Sequence, residues 1–154
     1  MSFEIKLKKI FSLIGLIISS FRWGKIGKLC YILPPTYISN RSKIFLGNNV
    51  HINHSFRCEV YEPGIITIGN NVSIGHNCHV TVKGNLSIGS ECIISSNVFL
   101  GSLDHDLSEI KLKALRKGKL IGKETKIGSN CFIGTGAIIL PGSTINNNSI
   151  IGAG

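Results

Sequence analysis

From Ile121 onward an isoleucine returns at every sixth position, at residues 121, 127, 133, 139, 145 and 151, through the string IGKETK, IGSNCF, IGTGAI, ILPGST, INNNSI, IGAG. The fifth position of each hexad is small: Thr125, Cys131, Ala137, Ser143 and Ser149. In extended backbone successive side chains face opposite ways, so first and fifth positions both point inward if the chain turns a corner between them. A corner of that kind needs a residue that tolerates positive φ, and the fourth position supplies Asn130, Gly136, Gly142 and Asn148, with Glu124 the exception. Burying one isoleucine yields about 1.5–3 kcal/mol, whereas fixing each backbone residue costs about 1–2 kcal/mol, so a single hexad does not fold alone. The pattern predicts stacked coils of an all-β solenoid, each coil made of three hexads.

Earlier hexads begin at Leu46, Ile52, Ile68, Ile74, Ile88 and Ile94. The phase slips across Tyr61 to Gly64 and again, by two residues, around Lys83 to Asn85, which leaves room for about five coils. Two stretches do not fit the hexad. Leu103 to Leu120 is polar and basic between apolar flanks, and an insertion of this size in a solenoid projects from one face. Near the N-terminus, Leu7, Ile10, Phe11, Ile14, Ile17, Ile18 and Phe21 share one side of a helical wheel, flanked by Lys6, Lys8, Lys9, Arg22, Lys25 and Lys28. The apolar run is 12 residues, Ile10 to Phe21, against the ~20 a bilayer span requires, and no small-residue cleavage site follows it. This predicts an amphipathic helix, packed on its own domain or a neighbouring subunit, or lying on an anionic membrane surface. Pro34 and Pro35 read as a linker, dividing the chain into helix and linker over 1–40 and a β-helix over 41–154 with its extruded loop at 103–120.

Composition adds two points. The balance of 17 Lys and Arg against 8 Asp and Glu gives +9, which favours an anionic partner; nucleic acid is disfavoured, because no recognised motif is present and one tryptophan, Trp23, makes no aromatic platform. The five cysteines, Cys30, Cys58, Cys78, Cys92 and Cys131, show no CxxC pairing, and three of them fall on the small fifth position. They read as inert inward fillers in a reduced, cytoplasmic protein.

The stretch IGSECIISSNVFLGSLDHD, the loop after it, and KIGSNCFIGTGAIILPGSTINNNSIIGAG resemble the hexapeptide-repeat acyltransferases, and among them the sugar and surface-polysaccharide O-acetyltransferases. The resemblance covers Leu46 to Gly154 and implies a left-handed parallel β-helix, a homotrimer, and transfer of acetyl from acetyl-CoA to a sugar hydroxyl. It implies that His105, at the mouth of the loop in Leu103-Asp104-His105-Asp106, is the general base, since a hydroxyl attacks a thioester only as a base removes its proton. Asp104 and Asp106 are both candidates to orient the ring. Acetyl-CoA is expected at Thr135, Gly136, Gly152 and Ala153, and the acceptor at His79; plain repeat structure is the alternative for each. The basic loop residues Lys111, Lys113, Arg116, Lys117 and Lys119 suit CoA phosphates, an anionic glycan or simply solvent. No metal is expected: the spacing of His51, His54, His76, His79 and His105 differs from that of the zinc carbonic anhydrases that share the fold. Two other functions remain open, an amino-sugar N-acetyltransferase and a scaffolding β-helix without catalysis.

Overall fold

The computed structural model describes residues 6–11, 20–106 and 119–154. Residues 6–11 are helical, residues 12–19 of the expected amphipathic helix lie outside the described residues, and its end at Phe21 falls in a 3-10 turn, Ser20–Arg22. The first coil of the solenoid comprises β1 (Lys25–Ile26), β2 (Tyr31–Ile32) and β3 (Thr36–Ile38). The second is β4 (Ile44–Leu46), β5 (His51–Ile52) and β6 (Phe56–Val60), and the third β7 (Ile66–Ile68), β8 (Ser73–Ile74) and β9 (His79–Val82). The fourth is β10 (Leu86–Ile88), β11 (Ile93–Ile94) and β12 (Phe99–Gly101), after which a hairpin of β13 (Leu103–His105) and β14 (Leu120–Gly122) leaves the stack. The fifth coil is β15 (Thr125–Ile127), β16 (Phe132–Ile133) and β17 (Ile138–Ile139), and the sixth holds β18 (Thr144–Ile145) and β19 (Ile150–Ile151).

One strand from each coil joins each of three parallel sheets, of six, six and five strands, so the cross-section is a triangle and the fold an all-β, left-handed parallel β-helix. In the first sheet Ile26, Leu46, Ile68, Ile88, Ile127 and Ile145 form one column, at sequence separations of 20, 22, 20, 39 and 18. Only the last equals three hexads. The surplus falls at the Arg41–Lys43 turn, where the hexad phase slips at Tyr61 to Gly64 and Lys83 to Asn85, and at the extruded hairpin.

The structure departs from the sequence expectation at three places. Residues 25–38, expected as helix end and linker, pair in parallel with the second coil and make a sixth coil where about five were expected. Pro34–Pro35 is a cis peptide at a corner of that coil rather than a spacer. Ile121, placed on the first position of a hexad, belongs to the antiparallel hairpin, opposite Asp104, and the stack resumes at Thr125. The hexad motif repeats there by sequence, but Gly122 already lies against Lys83 and Gly84 of the coil beneath, which turns Ile121 outward into the projecting pair.

The corners explain the rest of the pattern. Between the first and second sheets Asn49, Asn71, Glu91, Asn130 and Asn148 are left-handed, with φ from 55° to 61°, and between the second and third sheets Asn77, Asn97 and Gly136 take the same turn. The glycine that follows many of the hexad isoleucines serves a different purpose: a Cβ on Gly69 would stand 2.6 Å from the backbone nitrogen of Ser90, so the coils approach there only because the atom is missing. Side chains also tie coil to coil. Asn48 accepts from the Lys28 N–H, Asn70 from Asn48, Ser90 from Asn70, Ser129 from Ser90 and Asn147 from Ser129, at 2.8–3.2 Å.

The inward cysteines are more than fillers. The thiols of Cys30, Cys78, Cys92 and Cys131 each donate to a carbonyl of the next coil, at 3.0–3.1 Å. Burial pushes the Cys30, Cys78 and Cys92 thiols above their usual range, and burial together with the neighbouring Glu59 charge pushes Cys58 up to about 12. All five thiols are buried and unpaired. At pH 8 the folded protein should therefore resist alkylation by iodoacetamide at every cysteine and react fully in denaturant, which mass spectrometry will count. Cys92→Ala, which strands the Gly128 carbonyl, should cost about 1–3 kcal/mol in denaturant unfolding, and Cys92→Ser, which keeps a donor, should cost less.

Candidate active site

The hairpin leaves the solenoid at the edge between the third and first sheets. Its root is fixed by Ser102, which is buried; its N–H donates to the Thr81 carbonyl and its hydroxyl to the Gly84 carbonyl, at 2.8 and 3.0 Å. Thr125, also fully buried, donates to the Gly101 carbonyl at 2.7 Å from the other side of the break. From this anchored root β13 and β14 run antiparallel, with His105 opposite Leu120, and the Asp106 N–H continues the pairing to the Lys119 carbonyl at 2.8 Å. His105 is thus displayed, exposed, at the far end of a short rigid ribbon.

Of the two carboxylates expected beside His105, Asp104 is engaged elsewhere. One oxygen accepts from Lys123 Nζ at 2.7 Å and the other from the His105 backbone N–H at 2.8 Å. The Lys123 hydrogen bond, followed by that backbone bond, holds the Asp104 carboxyl below the usual aspartate range. This carboxylate clamps the hairpin to the fifth coil. Lys123 carries no repeat signature, which is why the sequence did not single it out. Asp106 stands one residue further along the ribbon. Lys111, Lys113, Arg116 and Lys117 lie outside the described residues.

Thr135, Gly136, Gly152 and Ala153 occupy another edge, between the second and third sheets. There Gly136 donates to the Ser96 carbonyl and Gly154 to the Thr135 carbonyl, both at 3.0 Å, continuing a ladder that runs back through His76 and His54. Thr135 and Ala153 are exposed. Gly136 takes a φ of 74°, in the left-handed region that favours glycine. The third sheet, with strands of two to five residues, separates this ledge from the root of the hairpin. Within one chain, then, the structure does not bring His105 and the four ledge residues together.

The outer face of that third sheet carries a polar cluster around His79. Tyr37, Arg57, His79 and Phe99 are register partners along one column, and Glu59 stands one step over, opposite Thr81. Arg57 and Tyr61 both bind the Glu59 carboxylate, and Arg57 lies over the Tyr37 ring at 5.3 Å. Burial alone would raise the Glu59 carboxyl, but its Arg57 and Tyr61 hydrogen bonds outweigh that and hold it below the usual glutamate range. His79 meets Phe99 edge-on at 5.5 Å, and its buried Nε2 stands 3.9 Å from Glu59 Oε1 with no hydrogen-bond partner. Arg57, Glu59 and Tyr61 escaped the sequence reading, although their alternation with inward Cys58 and Val60 marks them as one outward face. Among the described residues no group of three or more His, Cys, Asp or Glu is arranged to hold a metal ion. His54 and His76 instead stack on each other at 5.7 Å.

Two family descriptions match the chain: "Bacterial transferase hexapeptide (six repeats)" over residues 124–154 and "Hexapeptide repeat of succinyl-transferase" over residues 65–102. A galactoside O-acetyltransferase of Escherichia coli (strain K12) is 30% identical over 86% of this chain and 53% of its own length. A putative lipopolysaccharide biosynthesis O-acetyl transferase of the same organism is 26% identical over 77% of this chain and 64% of its own. The chain spans about half the length of the galactoside relatives it matches. Among solved structures, an N-acyltransferase from Bacillus cereus in complex with dTDP and 3-hydroxybutyryl-CoA superposes with a TM-score of 0.76 at 20% identity, over 90% of this chain and 74% of that one.

The clamp at the root of the hairpin gives a direct test. Asp104→Asn should speed backbone hydrogen exchange across 103–105 and 119–122 while the global unfolding midpoint stays essentially unchanged, as for other exposed ion pairs. Because the Asp104 pKa is depressed, the tie is complete at neutral pH and is lost as pH falls through that lowered value, so acid should loosen the wild-type hairpin in the same way.

Proposed function

The chain belongs to the hexapeptide-repeat acyltransferase family, and from that premise we propose that it transfers an acetyl group from acetyl-CoA to a hydroxyl of a sugar, in making a surface polysaccharide, with His105 as general base. The observation that carries this reading is the placement of its parts. An exposed imidazole on an anchored ribbon stands at one edge of the prism, and a glycine-bared ledge, Thr135 with Gly136 and Gly152 with Ala153, stands at another. The two meet where the hairpin edge of one copy faces the ledge of the next, which a closed three-fold ring provides. Exposed Ile93, Phe132 and Ile150 on the second sheet, with Ile138 and Leu140 on the third, supply apolar surface for that ring in the lower coils.

The acyl donor's pantetheine arm is placed on this ledge, beside the exposed Thr135 and the left-handed Gly136. The donor supplies a thioester carbonyl. His105 takes the acceptor hydroxyl proton as that oxygen attacks the carbonyl, and returns it to the departing thiolate. The acceptor lies on the third sheet, where His79, Arg57 and Glu59 offer directional polar contacts and Tyr37 an aromatic face. The reaction belongs to the cytoplasm, where acetyl-CoA is available.

Transfer to an amino sugar is the second reading. It is favoured by one observation, that the Asp104 carboxylate is held by Lys123 and the backbone, since a neutral amine needs less help from an oriented base.

His105→Ala should lower kcat by about 10²–10⁴-fold with little change in KM for acetyl-CoA if a hydroxyl is acylated; a rate within a fewfold of wild type would favour the amine. Light scattering should give three chains. Mixing His105→Ala chains with Ala153→Arg chains, each inactive alone, should restore about a quarter of the wild-type rate if each site draws its two halves from different copies of a cyclic trimer. Binding of CoA without turnover on any sugar would leave the scaffold reading standing.

A further inference from the structure

The basic excess of this chain is not spread evenly. Residues 1–43 hold eight lysines and arginines and one acid, Glu4, whereas residues 44–154 hold nine basic and seven acidic residues. Nearly all of the +9 therefore sits at one end of the solenoid, because β1, β2 and β3 of the first coil are the terminal strands of their sheets. The elements around that end are tied to it. Arg41 lies over the Trp23 ring at 5.6 Å and its carbonyl accepts from Gly24 at 3.1 Å, and Lys9 of the helical segment lies over the Tyr31 ring at 4.7 Å.

The same end presents large apolar side chains to solvent. Phe21 is 83% exposed, Leu29 is 67% exposed, and Leu7, Ile10 and Phe11 of the helical segment are exposed as well. Leu29 is the odd member of its corner column. It adopts φ 58°, as Asn49, Asn71, Asn130 and Asn148 do in the coils below, but a leucine gains nothing locally from that conformation. An asparagine would relieve the strain, and of the residues at this corner Leu29 alone presents an apolar side chain to solvent. Between these side chains stand the exposed cations Arg22, Lys25 and Lys28, and an open polar cleft is lined by Arg22, Asn40, Arg41 and Ser42.

We propose that the first-coil end of the solenoid docks on an anionic lipid bilayer, with Phe21, Leu29 and the helix residues inserted among the acyl-chain boundary and the lysines and arginines over the phosphates. The mixture of side chains selects this partner. A polyanion such as nucleic acid would take the cations but leave Leu7, Ile10 and Leu29 in water. A second copy of the chain would bury lysines that interface cores exclude, and both copies carry the same charge. The boundary of an anionic bilayer accepts both kinds of group at once. The cleft between Arg22 and Arg41 is shaped for a headgroup phosphate, which two guanidinium groups bind in directed pairs. The inference goes beyond the acyl-transfer reading, since vesicle binding needs neither acetyl-CoA nor His105.

Flotation of the full chain with phosphatidylcholine vesicles, with and without phosphatidylglycerol, tests it. The protein should float with the anionic vesicles at low salt, be released as salt rises, and stay behind with phosphatidylcholine alone. Lys25→Gln/Lys28→Gln should weaken partitioning about 25-fold, at a factor of about five for each cation. Leu29→Asn, which suits the left-handed corner and should not lower the melting temperature, combined with Phe21→Ser should weaken it at least about tenfold through lost insertion. No flotation of the wild type at low salt, equal flotation with neutral vesicles, or unaltered flotation of both variants would overturn the proposal. So would displacement by duplex DNA at matched phosphate concentration with Leu29→Asn/Phe21→Ser binding that DNA as the wild type does.

Discussion

Every feature of this molecule depends on the distance between one coil and the next. Parallel strands hydrogen-bond only when their backbones lie about 4.8 Å apart, and a triangular coil must keep that spacing at its corners as well as along its faces. Corners are where it is hardest to keep. The chain meets the requirement by deleting a Cβ at Gly47, Gly69, Gly89 and Gly128, and by placing asparagine where the backbone turns left-handed. The carbonyls and N–H groups that a corner would leave unpaired are taken up by the asparagine and serine side chains and by the cysteine thiols of adjacent coils. The isoleucines supply the apolar gain, but it is the corner chemistry that lets them stack.

A stack this regular offers little on which to build a site. Its faces are flat and its corners are closed, so function falls on the few positions where the repeat yields. The hairpin of residues 103–122 is one, and it projects stiffly because both sides of its root are pinned by buried hydroxyls, Ser102 and Thr125, and its base by the Lys123–Asp104 pair. The first coil is another, where buried Trp23 and the helical segment with Lys9 over Tyr31 stand in place of a further coil among the described residues. The last coils are a third, where outward side chains change from polar to apolar: along the second sheet the column that reads His51 and Ser73 continues as Ile93, Phe132 and Ile150. Three departures from the repeat thus match the three tasks proposed above: catalysis, attachment and assembly.

What the sequence disclosed follows from the same distinction. Periodicity is a local property, so the hexads, the corner residues and the point of extrusion at Leu103 were all readable from it. Ile121 misled because a motif can persist for one hexad beyond the stack that gives it meaning, and only Gly122 packing on Gly84 reveals the boundary. The first coil was missed although Ile26, Ile32 and Ile38 keep the six-residue spacing, because its corner carries Leu29 instead of asparagine and Pro34–Pro35 resembles a linker. The cluster of Arg57, Glu59, Tyr61 and His79 was missed for another reason. Arg57, Glu59 and Tyr61 alternate along one strand, but His79 joins them from the next coil, 22 positions on, a separation no local window spans. Of the candidate residues, His105 was recognisable by its place at the mouth of the loop, but the diversion of Asp104 to Lys123 was not.

The geometry also links the two ends of the solenoid. A rigid stack that attaches through its first coil points its axis in a defined direction, and each further coil adds about 4.8 Å along that axis. The hairpin leaves after the fourth coil, so His105 would stand on the order of 20 Å from a surface that holds the first coil, with the polar cluster of the second and third coils between them. An acceptor tethered in the bilayer by a lipid would have its sugars drawn along the third sheet toward the imidazole, past Tyr37, Arg57 and His79 in turn. A soluble acceptor would need no such alignment. On that reading the coil at which the hairpin emerges sets how far from its anchor a glycan is modified.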